Sequence, residues 1–128
     1  MITLATLPNA TEQQVFDQVA NHLLTQKEKC LQDNNNVACQ YHNDHLRCAA
    51  GCLISKEEYE INTSIAGTSY FEGNNWDVLV EDYGVPSDHK ELITELQTIH
   101  DDICPDHWKR HLEETAFSWG LDFNFQDK

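Results

Sequence analysis

Four stretches of this 128-residue chain repeat their apolar residues at three- and four-residue intervals, the period of an α-helix buried along one face. The first opens where Thr11 and Gln14 have capping-box spacing and runs through Val15, Phe16, Val19, Ala20, Leu23 and Leu24 to about Cys30. The polar run at residues 32–36 ends it, because Asp and Asn side chains compete with helix by local hydrogen bonding. Trp76, Leu79, Val80 and Tyr83 make the second, with Asn75 placed to cap its start and Gly84 to close it. Ser87 heads the third, whose core stripe is Leu92, Ile93, Leu96, Ile99 and Ile103. Pro105 ends that helix and opens the fourth, where Trp108, Leu112, Ala116 and Trp119 face the core before a Gly120-Leu121 cap.

Residues 37–48 alternate instead. A hairpin turning at Asn43 and Asp44 pairs His42 with His45, Tyr41 with Leu46, Gln40 with Arg47 and Cys39 with Cys48. Val37, Cys39, Tyr41, Leu46 and Cys48 then share an apolar face, while Gln40, His42, His45 and Arg47 share a wet one. Residues 49–54 are small and apolar and read as a buried helical turn or short helix, which Lys56 to Tyr59 continue or follow. Residues 62–73 read as loop or weak strand. The expected fold is α+β, mainly α: four or five helices and one small β-hairpin in a single compact domain over residues 1–128.

No stretch approaches the roughly 20 apolar residues that cross a bilayer, and the first residues lack the basic start of a secretory signal. A cytoplasmic location follows, in which the five Cys stay reduced and the sequons at Asn9 and Asn62 are chance matches.

Charge is the unusual feature. The chain has 22 Asp and Glu against 8 Lys and Arg, a net −14, which disfavours direct binding to nucleic acid or anionic lipid. The excess is concentrated: residues 57–106 hold thirteen acids and Lys90 alone, a net −12. At about 100° per residue from Asp88, Glu91, Glu95 and Asp102 fall at about 300°, 340° and 320°, forming one stripe about 21 Å long. No base stands four residues along from any of them, so the usual ion-pair compensation is missing. Glu57, Glu58, Glu60, Glu72, Asp77, Glu81 and Asp82 can supply parallel rows. Such a surface has the sign and reach of a phosphate strand and would be steered to a basic nucleic-acid-binding groove.

Two clusters invite chemistry. Cys39, His42, His45, Cys48 and Cys52 have zinc-ligand types and intervals, but alternation sends the Cys inward and the His outward, so four cannot converge without a bulge. The plainer reading is buried small hydrophobes beside exposed His, with Cys39 and Cys48 near enough across strands to bridge if oxidised. His100, Asp101, Cys104, His107 and His111 gather around Pro105 with metal-binding intervals, and a Cys-His-Asp nucleophile can be drawn from them and another Cys. No phosphate-cradling glycine loop or Gly-x-Ser-x-Gly is present, and the balance is against an enzyme, a metal or a cofactor.

The segments Cys39-Gln40-Tyr41, Arg47-Cys48-Ala49-Ala50-Gly51-Cys52-Leu53-Ile54, Glu58-Tyr59 and Leu96-Gln97-Thr98-Ile99-His100-Asp101 resemble a set of small proteins common in phage and prophage genomes. That set shares a Cys-x-Tyr, Cys-Ala-x-Gly-x-Leu-Ile and Leu-Gln-x-x-His-Asp skeleton followed by a Trp-containing helix. The resemblance spans most of residues 11–121 and departs at the turn, where His42-Asn43-Asp44-His45 replace a Gly-containing loop. It implies no reaction; it implies a genome setting in which small acidic proteins occupy host proteins. The expectation is therefore an acidic phage- or mobile-element-borne DNA mimic. It would inhibit a host nucleic-acid-binding complex, in an anti-CRISPR or anti-restriction role, by covering its basic surface. Its contact residues would be Glu57, Glu58, Glu60, Glu72, Asp77, Glu81, Asp82, Asp88, Glu91, Glu95 and Asp102. The alternatives are a metal-binding or thiol-dependent protein built on the Cys and His clusters, and an acidic accessory subunit without mimicry.

Overall fold

A computed structural model describes residues 1–30, 40–43, 46–61, 71–72 and 74–125. Among these residues the fold is mainly helical. It comprises α1 (Glu12–Gln26), β1 (His42–Asn43), β2 (Leu46–Arg47), α2 (Lys56–Ile61), α3 (Trp76–Tyr83), α4 (Lys90–Asp102) and α5 (Trp108–Trp119). Short 3-10 turns stand at Leu7–Asn9, Gly51–Leu53 and Pro105–His107. The polar run at 32–36, Cys39, Asp44, His45 and most of the loop or weak strand at 62–73 lie outside the described residues.

Local capping chemistry sets most helix ends. Thr11 and Gln14 form the reciprocal capping box, the Thr11 hydroxyl accepting from Gln14 N–H at 3.1 Å and Gln14 Oε1 from Thr11 N–H at 2.9 Å. Asn75 Oδ1 accepts from Val78 N–H at 3.0 Å, and Gly84 closes α3 at φ 70°. Gly120, at φ 69°, ends α5 in a Schellman motif, with Leu121 N–H donating to Ala116 O at 2.8 Å and Gly120 N–H to Phe117 O at 3.2 Å.

Three ends differ from the sequence expectation. Helix α1 stops at Gln26, short of Cys30, because Lys27 takes the left-handed conformation (φ 59°) and donates its N–H to Leu23 O at 2.8 Å. A non-glycine residue held there is strained. Lys27→Gly is therefore expected to raise stability by about 0.5–1 kcal/mol in urea unfolding, and a loss of stability would contradict this account of the cap. Helix α4 starts at Lys90 rather than after Ser87: Ser87 O accepts from Lys90 N–H at 3.2 Å in a turn, and His89 at φ 64° takes the N-cap position. The His89 ring holds that turn through a 2.7 Å bond between Nε2 and Ala10 O. Pro105 opens a 3-10 turn, and α5 proper begins at Trp108.

Helices α1, α4 and α5 pack against one another around one hydrophobic core, in which Phe16, Leu23, Leu92, Leu96, Trp108 and Leu112 have no exposure to solvent. Trp108 Nε1 donates to Ile103 O at 2.9 Å, which satisfies the one polar atom of the largest core side chain. Helix α3 packs on α4, and the Gly51–Leu53 turn packs on α1.

The ladder of β1 and β2 pairs His42 with Arg47 and Asn43 with Leu46, a register two residues away from the expected pairing of His42 with His45. The side-chain parity of each strand survives the shift, but the expected exposure does not. His42, placed on the wet face by alternation, is only 7% exposed. Its ring stacks on Tyr59 at 4.2 Å, and its Nε2 lies 3.0 Å from both Gly51 O and Ile54 O. The chain after the hairpin folds back across the face that a free-standing ribbon would leave in water.

Candidate functional site

The carboxylates singled out in the sequence divide by what they touch. Glu58 and Glu72 are corrections to the expected contact surface, because the fold uses both as internal acceptors. Glu58 Oε1 accepts from Leu4 N–H at 3.0 Å and Ser55 N–H at 2.9 Å, and its Oε2 accepts from Ala5 N–H at 3.0 Å. With the Ser55 hydroxyl accepting from Glu58 N–H at 3.1 Å, this is a second capping box, and it pins the amino-terminal segment to α2. Glu72 accepts from Tyr41 N–H at 2.9 Å and from the Tyr59 hydroxyl, tying β1 to α2. Burial, followed by the Glu72 hydrogen bond, pushes the Tyr59 hydroxyl well above its ordinary value, so Tyr59 remains a donor.

Glu95 is spent in part, since it accepts from Trp119 Nε1 at 2.5 Å and links α4 to α5. Asp77 pairs with Lys90 at 3.1 Å, and Glu60 sits 4.0 Å from Lys56; both pairs are well exposed and worth little in water. Glu57 is exposed on α2 beside the anchored Glu58. Asp88 is exposed in the turn before α4 instead of on the helix, so the helical stripe shrinks to Glu91, Glu95 and Asp102, about 16 Å at 1.5 Å per residue.

What remains is a face carried by α3, α4 and the turn between them. Asp77, Glu81, Asp82, Asp88, Glu91 and Asp102 are all exposed there. Of these, only Asp77 has a cation within ion-pair distance among the described residues. The carboxyl-terminal half of α4 and the start of α3 border a cleft of about 520 Å³. Trp76, Tyr41, Cys48 and Ala50 line its apolar part, and Asp77, Asp101 and Asp102 are among its polar lining.

Of the two His and Cys clusters, Cys39 and His45 lie outside the described residues. Among the described residues no three His, Cys, Asp or Glu side chains gather as metal ligands. Cys48 Sγ accepts from Gly51 N–H at 3.2 Å, and Cys52 Sγ donates to Ala49 O at 3.1 Å. Burial raises both thiols, Cys52 to about 12, and so disfavours the reactive thiolate. His100 is fully buried against Trp108; its Nε2 accepts from Cys30 N–H at 2.9 Å, and its Nδ1–H donates to Asp101 Oδ1 at 2.8 Å. Both ring nitrogens are therefore committed to structure, and a backbone amide occupies the position where a thiol would have to approach its base. Cys104 and His107 are exposed, and His111 is half-buried in the groove between α4 and α5. No helix is long and apolar enough to cross a membrane among the described residues.

No family model, no curated protein and no solved structure matches the chain.

Proposed function

We propose that this protein is a non-enzymatic binding module whose acidic α3–α4 face docks on the basic, nucleic-acid-binding surface of a partner protein. The observation that carries the proposal is the net −12 over residues 57–106, with Lys90 the one Lys or Arg in that span. Natural surfaces normally intersperse the two signs, because like charges within a Debye length of about 8–10 Å repel one another and oppose folding. A span that uses Glu58, Glu72, Glu95 and Asp101 as hydrogen-bond acceptors still carries Asp77, Glu81, Asp82, Asp88, Glu91 and Asp102 exposed along two packed helices and the turn between them. Opposing Lys and Arg offset that repulsion, and complementary fields speed encounter and fix orientation. In a phage or mobile-element setting the same face would act as a DNA mimic, displacing nucleic acid from a host defence complex.

Immobilised protein incubated with host lysate at low salt tests the proposal. The expected result is a captured nucleic-acid-binding protein that elutes as salt rises and whose capture falls at least about tenfold for the triple variant Asp88→Lys, Glu91→Lys, Asp102→Lys. These three side chains are exposed, so the circular dichroism of the variant should match that of the parent. Capture that survives both high salt and charge reversal contradicts the proposal.

A further inference from the structure

Resting on the reading above, we propose that the cleft between α3 and α4 receives a single arginine side chain from a loop or strand of the basic partner. The cleft's volume of about 520 Å³ falls within the range of roughly 300–1,000 Å³ typical of sites that enclose a small group.

Two unmet needs define the occupant. Asp102, exposed at the carboxyl end of α4, has no cation within ion-pair distance among the described residues, so the site asks for positive charge. Trp76, which also lines the cleft, is only 4% exposed, and its Nε1 is the single buried side-chain N or O without a hydrogen-bond partner among the described residues. An orphaned donor of this kind costs about 1–3 kcal/mol, a cost that an entering acceptor relieves. The occupant must therefore bring a cation and an acceptor together. A metal ion or a simple amine brings no acceptor, and phosphate brings acceptors with the wrong charge. An arginine within a polypeptide brings both: its guanidinium and its main-chain carbonyl.

The lining favours arginine over lysine. Acceptors lie at several points rather than one, the Asp102 carboxylate being joined by the hydroxyls of Thr94 and Thr98. The Thr98 hydroxyl donates to Thr94 O at 3.0 Å, which leaves its oxygen to accept. A fork of five donors serves such a set better than a point charge does. The wall is already fixed, because Gln97 Oε1 accepts from Ala50 N–H at 2.8 Å and Gln97 Nε2 donates to Asp101 Oδ1 at 2.7 Å. Trp76 Nε1 is closed to solvent in the free protein, so the occupant's acceptor would reach it through a side-chain rotamer change of the kind common at interfaces.

The test is a titration of the ¹⁵N-labelled protein with an end-blocked Gly-Gly-Arg-Gly-Gly peptide, following the assigned Trp76 indole N–H. A saturable downfield shift is expected. The citrulline counterpart, of the same shape without charge, should bind at least about tenfold more weakly, and Asp102→Asn should weaken the arginine peptide about threefold. Thr98→Tyr, at an exposed position on the cleft wall, should block the peptide. A Trp76 signal that does not move, or equal binding of the citrulline peptide, overturns the inference. If partner capture is lost on charge reversal but intact in Thr98→Tyr, the acidic face stands and the arginine seat does not. If the peptide fills the cleft while capture ignores the reversal of Asp88 and Glu91 alone, the seat stands and the wider face does not.

Discussion

Replacing Gly51 with Ala is expected to destabilise the protein by about 3 kcal/mol or more, enough to unfold a typical small domain in part at 37 °C. A Cβ at this position would lie 2.1 Å from the Tyr41 carbonyl oxygen and 2.9 Å from its carbon, both backbone atoms that no rotamer change can move aside. The Tyr41 carbonyl cannot retreat freely either. It accepts from Cys48 N–H at 3.2 Å across the ladder, while Tyr41 N–H is held by Glu72 and the Tyr41 hydroxyl donates to Asn74 O at 2.7 Å. Opening a gap for one methyl group would thus disturb β1, its tie to α2 through Glu72, and the segment leading into α3. Urea unfolding of Gly51→Ala measures the effect, and a loss under about 1 kcal/mol would show that this contact is much looser than the structure has it.

Acidification should act on the same junction. Burial, opposed in part by its hydrogen bonds to backbone carbonyls, pulls His42 down to about 4 from an ordinary 6.5. With carbonyl oxygens of Gly51 and Ile54 both at 3.0 Å, Nε2 carries the proton of the neutral ring. Between pH 6.5 and 4 the unfolded chain binds a proton at this site that the folded protein does not. Stability contributed by neutral His42 is therefore whole above about pH 6.5 and is lost as pH falls towards 4. By pH 5 the loss amounts to about 2 kcal/mol, at 1.36 kcal/mol per pH unit. His22, half-buried on α1 and bonded to Arg47 O at 2.9 Å, is also lowered by desolvation and adds in the same direction. The informative quantity is the difference from His42→Gln. The parent should lose about 2 kcal/mol more than the variant between pH 7.5 and 5.0, and parallel curves would contradict the assignment.

The parts of this fold written in short-range chemistry could be read directly. Thr11 with Gln14, Asn75 with Val78, and Gly84 and Gly120 at left-handed positions each act within a turn of helix, and the apolar stripes of α1, α4 and α5 meet in the core as their spacing requires. Apart from the local stop of α1 at Lys27 and the 3-10 turn at Pro105, what failed depended on partners far along the chain. The start of α4 is set by His89 reaching Ala10, and the burial of His42 by Tyr59 and the Gly51–Leu53 turn. Net charge marked Glu58 and Glu72 as surface groups because composition does not say which acids face backbone N–H groups. For Glu58 a signal existed, since Ser55 and Glu58 have capping-box spacing; for Glu72, held by Tyr41 and Tyr59, no local pattern could have given it. The acidic face was legible as a span but not in its membership, and the cleft beside it, whose lining runs from Gln40 to Asp102, was not legible at all.

The binding of a captured partner at several salt concentrations, with and without duplex DNA, tests the central claim most directly. A docking face built from unpaired carboxylates predicts that log affinity falls steadily as log salt rises and that DNA and this protein exclude each other on the partner. An affinity indifferent to salt, or a partner that holds DNA and this protein together, would contradict it.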